Sequence, residues 1–252
     1  RLVKRIVSFL LRDRLKRYKF KVYNQLGQET IYSPYSILAI GMKELELKKE
    51  FPEHFRWVGP SGASVEAGED YPLDLSPFME RKKVLMTCGT QLAWAKENLI
   101  YQAKQLAKAH PDCHFFVTRG VGGEAFQCEN LMENLSLVSY LPYKEYIPQM
   151  DYVIHHGGAG IFYQCIIYGK PALILPHDYD QFDYAVRGVE AGVAFSAKRD
   201  NSKAIGQAFE ELLAKENWPE LETLRQAAQS YHPTEILERE IHRLLEDKEK
   251  EK

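Results

Sequence analysis

The stretch from His155 to Gln181 contains groups that could bind a phosphate and a sugar. It opens with the run HHGGAG, whose glycines let backbone N–H groups approach a ligand, and a predicted helix follows at once. The first turn of a helix has free N–H donors and roughly half a positive charge, which suits a phosphate. His156 can donate a hydrogen bond to a phosphate oxygen. The alternative is a tight strand-to-helix turn whose glycines serve packing only, since the run is neither GxxxxGK[ST] nor GxGxxG.

A carboxylate and an amide stand together at the end of the same stretch, at Asp180 and Gln181. The carboxylate accepts hydrogen bonds and the amide both donates and accepts them, which is what sugar hydroxyls require. The competing interpretation is a helix N-cap, because aspartate is a preferred cap and either Asp178 or Asp180 could fill that position. Taken alone, the pair favours the cap.

These groups lie where short apolar strands alternate with helices. The predicted strands are Val84–Thr87, Phe115–Thr118, Leu137–Tyr140, Tyr152–Ile154, Ala172–Leu175 and Val193–Phe195. The predicted helices are Leu92–Ala109, Ala159–Tyr168, Gln181–Ala191, Ser202–Lys215, Glu220–Gln229 and Thr234–Glu246. Residues 119–133 are predicted to be helical or loop. This alternation indicates an α/β, doubly wound, Rossmann-like domain with a parallel sheet covered on both faces.

Four stretches follow predicted strands and should therefore face one crevice. They are residues 89–91, 141–143, 155–160 and 176–181. Ligands of doubly wound sheets bind beyond the carboxyl ends of the strands. The convergence of the four stretches is stronger evidence for a binding site than any one of them.

The segment before this domain has a different pattern. Tyr35–Ile40 and Phe55–Pro60 are predicted strands, and residues 61–80 are rich in Gly, Pro and acids, as in a linker. We therefore predict the remnant of an N-terminal domain at 1–60, a linker at 61–80 and a C-terminal domain at 81–252. The chain begins with Arg1 in structured-looking sequence, so we expect its natural N-terminus to be missing.

Composition excludes several classes of protein. A net charge of −2 argues against a nucleic-acid-binding protein, which would be strongly basic. The four cysteines show neither a CxxC pair nor a metal-like spacing, as expected of a reduced cytoplasmic protein. No apolar run approaches the roughly 20 residues that span a bilayer, and no signal peptide is visible.

Charge is concentrated at the N-terminus. Residues 1–21 hold nine Lys or Arg against one acid, with apolar residues at helical spacing. A basic amphipathic helix of this kind could make peripheral contact with an anionic membrane. The alternative is a solvated helix whose apolar stripe packs on a neighbouring element.

The run HHGGAG, then Gly169–Pro171, then P-x-x-x-D-Q at Pro176–Gln181, resembles the donor-binding signature of UDP-glycosyltransferases of the GT-B fold. The doubled histidine is most similar to the macrolide and sterol members. The resemblance implies a C-terminal nucleotide-sugar-binding domain with a partial N-terminal domain. It also implies an enzyme, a UDP-dependent hexosyltransferase that acts by inversion on a hydroxyl of a small-molecule or lipid acceptor.

Carried over residue by residue, the resemblance assigns donor-binding roles. The diphosphate would be held by His156 and the backbone around it, and the sugar by Asp180 and Gln181. Tyr140 would stack on the base, whose edge Leu141 would read through its backbone, although Tyr140 could equally pack on the core. The full predicted set is Gly89, Thr90, Tyr140, Leu141, His156, Gly157, Gly158, Ala159, Gly160, Gln164, Asp180 and Gln181.

The sequence departs from the family pattern at two positions. Ile161 stands where a Ser or Thr is usual, and Gln164 stands where many members have a carboxylate that grips the ribose. These changes leave open whether UDP or dTDP is preferred. The crevice stretches hold two carboxylates, Asp178 and Asp180, and we predict neither metal nor cofactor, with the UDP-sugar as substrate.

The resemblance places the general base on an N-terminal domain, and no histidine of this chain stands in a matching context, so we predict no catalytic residue here. Two alternatives stay open. One is a non-catalytic donor-binding subunit of a split N-acetylglucosaminyltransferase, against which residues 1–60 count. The other is a different GT-B enzyme such as a UDP-sugar epimerase, against which Asp180 and Gln181 count.

Overall fold

The computed structural model describes residues 35–47, 50–60, 72–90, 92–120 and 126–250, together with residues 9, 17 and 33. The chain forms two compact units. The larger comprises Ile40–Lys49 and Gly59–His232, and the smaller comprises Arg1–Ala39, Glu50–Val58 and Pro233–Lys252. The basic helix predicted at residues 1–21 lies outside the described residues except for residues 9 and 17. The predicted boundaries at 60 and 80 stay a prediction.

The strands are β1 (Ile37–Ile40), β2 (Phe55–Gly59), β3 (Lys82–Thr87), β4 (Cys113–Thr118), β5 (Cys128–Met132), β6 (Leu135–Val138), β7 (Tyr152–His155), β8 (Ala172–Ile174) and β9 (Ala194–Ser196). β1 and β2 form a two-stranded sheet, and the other seven form one sheet in the order β5-β6-β4-β3-β7-β8-β9. Every pairing in the large sheet is parallel except that of β5 with β6.

Over residues 35–250, where the structure describes them, the α-helices are α1 (Lys96–Ala109), α2 (Tyr143–Tyr146), α3 (Ala159–Ile167), α4 (Gln181–Glu190), α5 (Ser202–Ala214), α6 (Pro219–Gln229) and α7 (Pro233–Lys250). Among the described residues, no helix is both long enough and apolar enough to cross a lipid bilayer.

Helices cover both faces of the large sheet because side chains alternate along each strand. In β3, Val84 and Met86 pack in one apolar cluster with α1 and α5, whereas Leu85 packs in another with α3 and α6. All three are fully buried. Strands apolar on both faces are typical of parallel sheets. The predicted doubly wound α/β fold is therefore confirmed.

The prediction was wrong between β4 and β6. Residues 119–133 were predicted to be helical or loop, but Cys128–Met132 forms strand β5, antiparallel to β6. Its first three residues are exposed because β5 lies at the edge of the sheet. An exposed edge strand lacks the apolar run that revealed the other strands.

In the smaller unit, Glu240 of α7 is buried beside two arginines. Its carboxylate accepts a hydrogen bond from Arg243 at 2.7 Å and lies 3.3 Å from Arg56. The hydrogen bond from Arg243 is the main cause that holds the pKa of Glu240 at about 2, so this ion pair persists over the whole neutral range.

Candidate functional site

The predicted site residues converge at the carboxyl edge of the large sheet. β3, β7 and β8 are neighbours, so the segments that follow them lie side by side. Together with the segments that follow β6, these segments enclose a cavity of about 480 Å³. It is lined by Gly89, Thr90, Leu92, Tyr140, Tyr143, His156, Gly158, Ala159, Gly160, Ile161, Tyr179, Asp180 and Gln181.

Nine of the twelve predicted residues are in this lining, and three are not. Leu141 and Gln164 are 1% and 3% exposed, and Gly157 is buried in the turn below the cavity. Their donor-binding roles stay a prediction without cavity contact to support it. Gln91, predicted to face the crevice, lies outside the described residues.

The two histidines of the HHGGAG run have different environments because β7 ends between them. His155 is 1% exposed, and its Nδ1 accepts a hydrogen bond from the Gly157 N–H at 3.0 Å. Burial, and then the neighbouring His156, lower the pKa of His155 to about 3. The His155 ring is thus a neutral part of the turn.

His156 instead lines the cavity, in a slot between two glycines. A Cβ at Gly89 would lie 3.0 Å from its Cε1, and one at Gly158 would lie 2.4 Å from its Nε2. Burial is the main cause that lowers the pKa of His156 to about 4, so the ring is neutral at pH 7. Its Nδ1 is buried and has no hydrogen-bond partner in the described part of the chain. The glycines therefore make room for the imidazole ring in the wall of the cavity, where a hydrogen bond with the Thr87 backbone opposes the lowering of its pKa.

Helix α3 begins directly beside His156. Gly158 occupies its N-cap position and has no side chain to bond the first N–H groups. The first four N–H groups of a helix lack intrahelical partners, and the positive end of the helix dipole lies there. No atom lies within 4 Å of a Cβ built at Gly160, so this turn has open space in front of it. The arrangement suits an anion.

The start of α4 packs against the same turn. Gly157 has a φ of +89°, and a Cβ there would lie 2.9 Å from the Gln181 backbone oxygen. Only glycine combines this backbone conformation with so close an approach. The phosphate-type turn and the Asp180–Gln181 pair are thereby held together.

Gln181 has a structural bond in addition to its place in the cavity. Its Oε1 accepts hydrogen bonds from the backbone N–H groups of His177, at 2.9 Å, and Asp178, at 3.1 Å. The side chain's NH₂ group is left as the part that can donate to a ligand. Sequence alone did not indicate this division.

Asp180 stands at the N-cap position of α4, but its side chain makes no capping hydrogen bond. The predicted N-cap position of Asp180 is therefore confirmed, but its side chain does not cap the helix. Its exposed carboxylate remains available at the mouth of the cavity.

A chain of hydroxyl groups supports the cavity from below. The Thr118 hydroxyl donates to Thr87 Oγ1 at 2.8 Å, and Thr87 Oγ1 lies 2.9 Å from the Tyr143 hydroxyl. The Gly89 N–H donates to the same Thr87 oxygen at 3.0 Å. Burial raises the pKa of Tyr143 to about 12, so its hydroxyl stays protonated at neutral pH.

The loop from His177 to Asp180 is anchored by residues that the sequence did not single out. Arg199 Nη1 donates to the His177 carbonyl at 2.6 Å, and its guanidinium lies 5.0 Å from the ring centre of Trp94. His177 is buried, and its Nδ1 donates to the Leu175 carbonyl at 2.6 Å. No spacing in the sequence links Arg199 to this loop.

Leu92, Tyr143 and Tyr179 also line the cavity without having been assigned a role. Tyr143 belongs to a stretch that was predicted to face the crevice, and Tyr179 directly precedes Asp180. Proximity to predicted site residues was the signal that could have found them. Among the residues that the structure describes, no three His, Cys, Asp or Glu lie close enough together to hold a metal ion.

The sequence and the fold are similar to those of known glycosyltransferases. Residues 122–242 match the family described as erythromycin biosynthesis protein CIII-like, C-terminal domain. An uncharacterized UDP-glucosyltransferase of Bacillus subtilis is 25% identical over 172 residues, which cover 67% of this chain and 42% of that protein. The 3-alpha-mycarosylerythronolide B desosaminyl transferase of Saccharopolyspora erythraea is 28% identical over 144 residues, 56% of this chain and 32% of that protein.

The solved structure of a spinosyn rhamnosyltransferase complexed with thymidine diphosphate is also similar. It superposes with a TM-score of 0.66 at 18% identity, over 82% of this chain and 56% of that one. The GT-B type of the fold is thereby confirmed. The chain spans less than half the length of the two curated relatives.

Proposed function

We propose that this chain binds the donor in sugar transfer, because residues 122–242 match the family described as erythromycin biosynthesis protein CIII-like, C-terminal domain, in agreement with the HHGGAG resemblance. The donor is a UDP-sugar, and the reaction transfers a hexose with inversion to a hydroxyl of a small-molecule or lipid acceptor. The transfer needs no metal ion.

One observation carries the proposal. A single cavity places a helix N-terminus and a neutral histidine beside a carboxylate and an amide donor. The first pair suits a diphosphate and the second suits sugar hydroxyls. A nucleoside diphosphate sugar has these two parts joined in this order.

The cavity can stabilise the leaving group without a metal. As the glycosidic bond breaks, negative charge grows on the diphosphate. In the proposed complex the diphosphate lies at the start of α3, where the helix N–H groups and dipole would face it and His156 would add a hydrogen bond. Donors fixed before the reaction stabilise developing charge without reorganising.

Sugar transfer also needs a general base to deprotonate the acceptor hydroxyl. His155 is buried and its Nδ1 already accepts a hydrogen bond, while His156 is assigned to the diphosphate. That no residue of this chain acts as the base stays a prediction, as do the cytoplasmic location and the membrane contact through residues 1–21.

The test is calorimetric titration of UDP, dTDP and GDP into the chain, with EDTA present. We expect UDP to bind most tightly, and His156→Ala to weaken its binding about tenfold, the loss typical of one hydrogen bond to a charged group. His232→Ala, at an exposed histidine outside the cavity, is the matched control and should bind as the wild type does.

Two results would contradict the proposal. One is a well-folded chain that binds none of the three nucleotides. The other is binding that appears only when Mg²⁺ replaces EDTA, which would remove the metal-free part of the proposal.

A further inference from the structure

Tyr179 is an exposed aromatic residue at the mouth of the cavity. The residue lines the cavity, yet it is 85% exposed. It directly precedes Asp180, the carboxylate proposed to bind the sugar. Within the described residues it belongs to neither of the two apolar core clusters, so packing in the core does not explain its large ring.

The backbone of Tyr179 is strained. Its φ is +49°, the only positive value at a non-glycine residue in the described part of the chain. This left-handed region is unfavourable for residues that have a Cβ, and bulky side chains are rare there. A glycine would adopt the same conformation without the steric penalty of a Cβ.

Hydrogen bonds on both sides hold this conformation in place. Asp178 Oδ1 accepts from the Tyr179 N–H at 2.8 Å. Gln181 Oε1 accepts from the N–H groups of His177 and Asp178, and Arg199 fixes the His177 carbonyl. Strain that the surroundings enforce in this way is typical of ligand-binding sites.

The position of Tyr179 identifies the part of the ligand that it would meet. Tyr140 follows β6 and Tyr179 follows β8, which lie four strand spacings apart in the sheet, or about 19 Å. The two tyrosines therefore mark opposite ends of the site. The end with Tyr179 is also the end with Asp180 and Gln181.

We propose that the Tyr179 ring is a platform for the apolar face of the donor sugar. A hexose ring carries hydroxyls around its rim and C–H groups on its faces. Asp180 and Gln181 can bond the rim, whereas an aromatic face, with its negative quadrupole, suits the weakly positive C–H groups. This inference rests on the proposed function and adds a residue that selects for a pyranose over a bare diphosphate.

The test compares the affinity for UDP-glucose with that for UDP, by calorimetry, in the wild type and in variants. Tyr179→Ala should weaken UDP-glucose binding about three- to tenfold, the range expected for loss of one aromatic contact. UDP binding should change less than twofold. Tyr179→Phe keeps the ring and should bind both ligands as the wild type does.

Two further variants separate binding from folding. Phe182→Ala removes another exposed aromatic, three residues further along and outside the cavity lining, and should leave both affinities unchanged. Tyr179→Gly relieves the strain, so it should raise Tm while it weakens UDP-glucose binding. Replacing a residue with a purely structural role would not raise Tm and weaken UDP-glucose binding at the same time.

Several results would overturn the platform. An unchanged ratio of the two affinities in Tyr179→Ala would do so, and so would a Tyr179→Phe variant as weak as Tyr179→Ala. In both cases UDP would still bind and the proposed function would stand. Failure of the wild type to bind UDP at all would instead overturn the proposed function and the platform with it.

Discussion

Gln181→Ala should destabilise the protein far more than Gln181→Glu. The alanine leaves two backbone N–H groups without their acceptor, one buried at His177 and one half-buried at Asp178. A buried donor that loses its partner costs about 1–3 kcal/mol, so we expect a loss of about 3 kcal/mol in total. For a protein of this size that lowers Tm by roughly 6–12 °C.

Glutamate keeps an oxygen where the two N–H groups need it. Gln181 is the first residue of α4, where the positive end of the helix dipole favours a negative charge. We therefore expect the free energy of unfolding of Gln181→Glu to lie within about 1 kcal/mol of that of the wild type. Glutamate cannot donate, however, so its binding of UDP-glucose should weaken relative to UDP.

Thermal unfolding followed by far-UV circular dichroism measures the first difference, and calorimetry measures the second. Equal melting temperatures for Gln181→Ala and the wild type would refute the role of the amide oxygen in holding the loop. Equal losses in the two variants would show that side-chain charge or shape matters there rather than the acceptor.

Three more predictions follow from the described contacts. His155 and His114 have pKa values lowered by burial to about 3 and about 4 from 6.5, so the unfolded chain binds more protons below pH 6.5. The free energy of unfolding should be highest above pH 6.5. Between pH 6.5 and pH 4 it should fall by up to about 1.4 kcal/mol per pH unit for each histidine. Urea unfolding at pH 7.5 and pH 5 tests this, and equal free energies would contradict it. Asp180→Asn should change Tm by less than about 2 °C while it weakens UDP-glucose binding, because the carboxylate makes no cap bond; a large drop in Tm would mean that it does. Gly157→Ala should cost about 1–3 kcal/mol, whereas Gly160→Ala, with nothing within 4 Å, should be tolerated. Equal melting of the two glycine variants would contradict the close approach at the turn.

The interior of the sheet could be predicted from the sequence because its strands are continuous apolar runs. β4 is buried along its whole length, and its run of apolar residues predicts a strand covered on both faces. β5 could not be predicted in this way, since an exposed edge strand carries polar residues such as Glu129 and Asn130. Its identity as a strand depends on its partner β6, which sequence pattern does not reveal.

The cavity was predictable to the extent that strand ends determine it. Residues directly after β3, β7 and β8 had to share one edge of the sheet, and they do. Gln164 lies one turn into α3, and whether it faces the ligand or the core depends on how the helix packs. The amide oxygen of Gln181 bonds the loop and its NH₂ group is left for a ligand. This arrangement likewise depends on where the N–H groups of His177 and Asp178 point.

The hydroxyl chain below the cavity has a fixed proton order. A hydroxyl oxygen accepts two hydrogen bonds and donates one. Thr87 Oγ1 already accepts from Thr118 and from the Gly89 N–H, so its own proton must go to Tyr143. The hydroxyl proton of Tyr143 is consequently not donated to any other member of this chain of hydroxyl groups. Thr118, a buried residue of β4 that lines no part of the cavity, thus sets the direction of a dipole two side chains away.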